Sequence, residues 1–246
     1  MATTKFVGKG TVYFAVGTGP LVSIGNCSKL SLNIAEDKLE MTDYESAGGG
    51  IAASISRIKS ATLDLTAYSF SPDNLALAIR GSATATASVT AITDEAVVAK
   101  AGLNMLARLP SFATGATFTV EPSPSGTAFV EGTDYVRTRS GFTVVAGGGI
   151  DPADALHVSY TPLADNIMQG LVSSATEIRC VFEGLNEAES GKPVVVECFK
   201  VQLSPAKSLD LIADKWGELA LTGTIIKDES KTVSGTSQYF TIKQAS

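Results

Sequence analysis

Histidine occurs once in this 246-residue chain, tryptophan once and cysteine three times, and no run of Lys and Arg occurs anywhere. Each scarcity removes a class of function. With a single histidine and scattered cysteines, the spacings that hold zinc, C-x-x-C or H-E-x-x-H, do not occur. His157 lies in the alternating run Leu156–Tyr160. A catalytic reading would need a nucleophile and an orienting carboxylate beside it, and the sequence supplies neither, so a solvent-facing strand histidine is expected. The formal net charge of −6 opposes tight nucleic-acid binding, which needs clustered cations.

Long apolar runs are also missing. None approaches the length that spans a bilayer, so no membrane insertion is expected. The opening stretch MATTKFVGKGTVYFAVG lacks the basic start, apolar segment and cleavage pattern of a signal peptide, so the expected place of synthesis and folding is a cytoplasm. Cys27, Cys180 and Cys198 are odd in number and far apart. They could be a metal site or a redox thiol, but buried reduced thiols are the expected state, because free cysteine is among the most buried residue types. Gly48–Gly50 and Gly147–Gly149 fit neither the Walker pattern nor G-x-G-x-x-G and read as turns. The carboxylates are scattered, and no D-x-D-x-D-G calcium loop is present. No cofactor, metal or catalytic residue is expected.

What the chain does have is Gly, Ala, Ser and Thr in quantity, with β-branched residues between them, as suits pleated strands joined by tight turns. Three regions separate. In residues 1–82, Thr11–Val16, Leu21–Ile24 and the alternating Leu30, Leu32, Ile34 read as strands, as does Ile58–Ala67 with Ala61, Leu63, Leu65 and Ala67 on one face. Between them lies a polar segment, Glu36 to Ser56, read as a loop too long for a simple turn and therefore a functional candidate. Ser71 as cap and Pro72 in the first turn predict a short helix closing near Gly81.

Residues 83–165 form the second region. An Ala/Thr/Ser stretch, SATATASVTA, reads as a linker or edge strand. Strands are expected at Thr117–Glu121, Thr127–Val130, Tyr135–Arg137, Phe142–Val145 and Leu156–Tyr160, separated by Gly, Pro and Asp turns. That spacing suggests a small all-β sandwich, and its excess of acidic side chains suggests an exterior module. In residues 166–246, Glu177–Phe182, Val194–Leu203, the alternating stretch around Leu219, Leu221 and Ile225, and Thr236–Lys243 read as strands. Ser204-Pro205 is read as opening a second helix with Leu209, Ile212 and Trp216 facing inward. The outer regions share one grammar of strand, Ser-Pro helix and strand, so the chain reads as one mainly β domain interrupted by an inserted β module.

Particular phrases carry a resemblance. Glu197–Val201, Leu203–Ile212 and Trp216–Gly223 resemble the C-terminal part of the major tail (tail tube) proteins of long-tailed bacteriophages. Ile58–Thr66 with Phe70–Ala78 is similar to the strand and helix that follow the long loop in those proteins. Val130–Tyr135 and Val144–Ile150 resemble β modules of phage virion proteins. The resemblance implies a tail-tube-like β-sandwich core with one or two short flanking helices and a small inserted β-sandwich. It also implies a structural virion protein, made in the host cytoplasm, whose copies join into hexameric rings and stack into a tube for DNA ejection. Its implied partners are itself, tail proteins such as the tape measure and tail terminator, and DNA in transient, non-specific passage. The long loop would contact the next ring through Glu36, Met41, Tyr44, Gly48, Gly49, Gly50, Ile51 and Ile55. A capsid decoration protein, a head–tail joining protein and a carbohydrate-binding β module stand as alternatives.

Overall fold

A computed structural model of the protein describes residues 5–86, 90–99, 105–113, 115, 117–124, 126–174 and 176–245. The fold is mainly β, with 52% of the described residues in strands and 4% in helix, so its cores are built almost wholly from sheet faces. The chain divides into two compact units, residues 1–83 with 168–246, and residues 84–167.

The first unit begins with β1 (Gly8–Val16), β2 (Val22–Ser23), β3 (Cys27–Thr42) and β4 (Ile51–Ala67), followed by α1 (Pro72–Ala78) and β5 (Ser82–Thr86). As its sequence predicts, α1 starts at Ser71, whose side chain accepts a hydrogen bond from the Asn74 backbone N–H at 3.2 Å, with Pro72 in the first turn where its missing N–H costs nothing. Buried Asn74 donates to the carbonyls of Ile24 and Ser69, both at 3.0 Å, and so ties the helix to the chain entering and leaving the strands.

The inserted unit contains β6 (Ile92–Val98), β7 (Leu106–Arg108), β8 (Phe118–Pro122), β9 (Tyr135–Thr138), β10 (Gly141–Val144) and β11 (Ala155–Tyr160), ending at β12 (Asp165–Gln169). Two three-stranded sheets, β7-β10-β9 and β6-β11-β8, enclose one core that includes Leu109, Val120, Tyr135, Phe142, Leu156, Val158 and Tyr160. It is a small sandwich whose aromatic rings meet edge to face, Tyr135 against Phe142 at 5.8 Å and Phe118 against Phe142 at 6.3 Å. The expected strand at Thr127–Val130 is irregular chain instead; Val130 is exposed and follows no ladder. That segment belongs to a clamped turn: Asp134 accepts from the backbone N–H of Val130 and of Gly149, each at 2.7 Å, which holds its carboxyl below the usual range. His157 sits on the face of β11 turned away from the core, between Ala96 and Glu121. The Ala/Thr/Ser stretch opens as β5, and its residues 87–89 lie outside the described residues.

The chain returns through β13 (Glu177–Asn186), β14 (Lys192–Ser204), β15 (Leu219–Ile225) and β16 (Phe240–Gln244). One antiparallel sheet runs in the order β2-β1-β13-β14-β15-β4-β3, with β16 joining the free part of β14. β5 and β12 pair as a separate two-stranded sheet where the chain passes into the insert and back. The long sheet curls so that residues of both its ends share one core, including Val12, Phe14, Leu63, Leu65, Val201, Leu203, Leu219 and Leu221. Each such side chain contributes roughly 1.5–3 kcal/mol by leaving water.

Two sequence expectations fail here. Residues 205–218 are irregular, not a second helix, and Ile212 and Trp216 are 98% and 88% exposed. Their spacing is helical, but α1 already covers this end of the core with Leu75 and Leu77. Only Ala206 and Leu209 find room beside them, and the Ala206 N–H donates to the Ala78 carbonyl at 2.7 Å. The last strand also starts later than expected, at Phe240 and not Thr236.

The cysteines are free, with Cys180 and Cys198 buried opposite each other on β13 and β14 and Cys27 half-buried. Burial pushes all three thiols up, Cys198 to about 11, with Cys198 adding to the effect on Cys180. At pH 8 Cys180 and Cys198 are therefore expected to resist a thiol reagent until denaturant is added; rapid labelling of the native protein would contradict this. Because the folded chain keeps these protons where the unfolded chain releases them, the stabilisation is complete below the ordinary thiol value of 9.0. It is lost as pH climbs from there towards about 11 at Cys198.

Candidate self-association surface

The segment read as a loop from Glu36 to Ser56 is mostly strand. β3 and β4 stay paired from Cys27↔Ala67 to Thr42↔Ile51, with register shifts on the way, and only residues 43–50 form the turn. β15 pairs with β4 only from Ala61 to Ala67. Beyond that point the two strands run on as a ribbon without a third partner among the described residues. Gly48, Gly49 and Gly50 all have positive φ, at 119°, 66° and 150°, which explains three glycines in succession at the tip. The turn is closed by Asp43 N–H to Gly50 carbonyl at 2.8 Å. Asp43 itself is held below the usual carboxylate range by hydrogen bonds from Ser46 and the Glu45 backbone.

The two faces of the ribbon differ. In an antiparallel pair, opposed residues share a face and successive residues alternate. Leu30 and Leu32 pack on the core opposite Leu65 and Leu63, and Ile34 lies on the same side, exposed, opposite Ala61. Counting along β3, that same side next carries Glu36, Lys38 and Glu40, opposed by Ile58, Ser56 and Ser54. The Ser56 hydroxyl bonds the Glu36 carboxylate across it. The opposite side carries Leu39 and Met41, opposed by Ile55 and Ala53. Apolar character thus changes sides. On β3 the change lies in the sequence, where the apolar positions pass from even to odd numbers; on β4 a bulge makes it, as the register steps from Ala35↔Ser60 to Glu36↔Ile58, leaving Lys59 unopposed and reversing the alternation.

Leu39 is 71% exposed, Met41 60% and Ile55 52%, and Tyr44 projects from the tip at 89%. The core of this unit cannot cover them, because they lie on the wrong side of the sheet. A two-stranded ribbon is marginal in water on its own, and exposed apolar patches of this kind mark interaction sites.

Of the residues singled out in the sequence, Met41, Ile55 and Tyr44 lie on this exposed ribbon, Glu36 is on its polar side, and Gly48–Gly50 form its tip with Ile51 following. Sequence reasoning missed Leu39, which belongs with Met41, and Ile58, which belongs with Ile34 on the other face. The signal was available: apolar residues in β3 change phase between Ile34 and Leu39. A second exposed apolar group, Leu211, Ile212 and Trp216, lies on residues 205–218. Among the described residues no group of three or more His, Cys, Asp or Glu side chains is placed to hold a metal ion, and no helix is long and apolar enough to cross a membrane.

An antiparallel β core with a projecting two-faced ribbon is thus the structural class. The model of the family described as "Protein of unknown function UCP028589" matches residues 5–243, and the chain belongs to that family. No curated protein matches it.

Proposed function

We propose that this protein is a structural subunit of a phage virion and not an enzyme: its copies join into hexameric rings that stack into the tail tube, the conduit for DNA ejection. The observation that carries the reading is the ribbon of β3 and β4, whose apolar side is turned away from its own core and is satisfied only by another molecule. The resemblance of the strand and turn phrases to major tail proteins supplies the ring number and the tube. The exposed Leu211, Ile212 and Trp216 add a second surface that association would cover. Glu36 and Glu40 flank Lys38 on the polar side of the ribbon and leave it net acidic, which, within a chain of net charge −6, suits a lumen through which DNA slides without sticking. Tape measure and tail terminator proteins would meet the same tube at its interior and its end.

Negative-stain electron microscopy of the purified protein at high concentration tests this. Hollow, regularly striated tubes or stacked six-membered rings are expected. Monomers or isolated trimers at every concentration would overturn the reading in favour of a decoration or joining role.

A further inference from the structure

A groove of about 590 Å³ opens at the root of the same ribbon, on the core-facing side. Ile34, Ile58, Ile225, Tyr239 and Phe240 give it an apolar floor and walls. Ile34, Ile58 and Tyr239 are well exposed there, so the groove is unfilled apolar surface. Lys59, the residue left unopposed by the bulge, and Lys227 also line it; both are exposed. Neither joins an ion pair among the described residues, and no carboxylate lines the groove.

The tip of the ribbon has the complementary character. Between Leu39 and Ser56 the chain has no Lys or Arg, but it has Glu40, Asp43 and Glu45 beside the apolar Met41, Tyr44 and Ile51. A tip cannot fold back into the groove at its own root. From Ile34 to Thr42 the strand extends about 26 Å at ~3.3 Å per residue, and the fifteen-rung pairing with β4 keeps it extended.

Resting on the reading of the protein as a self-assembling subunit, we propose that this groove is the acceptor for the ribbon tip of the next copy. Met41 and Tyr44 enter the apolar trough, and Glu45 with Asp43 meets Lys59 and Lys227. The donor and acceptor patches are different surfaces of one chain, so the contact is head-to-tail and propagates from copy to copy, closing a ring or extending a stack. The bulge at Lys59 serves both ends of the contact, since it brings Ile55 of β4 onto the outward side opposite Leu39 and delivers a cation to the groove.

Charge exchange tests the pairing. All the residues changed are exposed, so the variants keep the fold. Lys59→Glu with Lys227→Glu is expected to raise the concentration needed for assembly at least about tenfold, as like charges face each other. Glu45→Lys alone should do the same to a smaller extent. Combining Glu45→Lys with the two lysine reversals should bring the assembly threshold back towards that of the unaltered protein, measured by sedimentation. If the combined variant is as defective as the sum of its parts, or if the lysine reversals have no effect while the unaltered protein assembles, the groove is not the acceptor. If the unaltered protein never assembles, the self-assembly reading falls, and this inference with it.

Discussion

Replacing Leu39, Met41 and Ile55 together by serine is expected to leave the protein folded and monomeric at concentrations where the unaltered chain associates. None of the three contributes to its own core, so circular dichroism and the unfolding midpoint should hardly move. Surface changes of this kind stay within about 0.5 kcal/mol each. Association is different. Covering a large apolar side chain is worth roughly 1.5–3 kcal/mol, so losing three would remove at least about 4 kcal/mol and weaken each contact by roughly a thousandfold. Sedimentation velocity would read that shift directly. Tubes persisting at the original threshold would place the contact surface elsewhere, with Leu211, Ile212 and Trp216 the next to examine.

Phe142→Ala should have the largest effect on stability. The ring is fully buried at the centre of the insert, touching Tyr135 and Phe118, and its loss leaves a cavity in a small core. Phe→Ala at such a site costs about 3–5 kcal/mol, a large part of what holds a domain of this size together. Because the two units have separate cores, the loss should lower one unfolding transition and spare the other. Differential scanning calorimetry would show two transitions, of which only the one absent from a chain lacking the insert moves. A single transition that shifts as a whole would mean that the units unfold together.

Much of this architecture is legible in the residues. Period-two alternation marks Leu30–Ile34, Ile58–Ala67 and Leu156–Tyr160, and Ser71-Pro72 marks the start of α1, because burial on one face and an unpaired first turn leave direct traces in side-chain choice. The ribbon was less legible. Glu36, Asp37, Lys38 and Glu40 read as loop when alternation is taken to mean burial, yet a strand with no core beneath it has no need of a continuous apolar face. The segment after Ser204-Pro205 fails for the opposite reason. Leu209, Ile212 and Trp216 have helical spacing, but spacing creates a helix only where a surface is free to receive it, and α1 already occupies that surface. Opposition of Cys180 and Cys198 is a fact of register, and register between β13 and β14 is not written in either strand alone.

The pairing of β5 with β12 has a consequence for how such a chain can change over time. Adjacent strands lie about 4.8 Å apart, so the points at which the chain leaves for the insert and returns from it are neighbours. A sequence of almost any length can be spliced between two such points, or lost from them, while the flanking strands keep their places. The insert is in that sense a cassette, free to vary in length without pulling the ends of β5 and β12 apart.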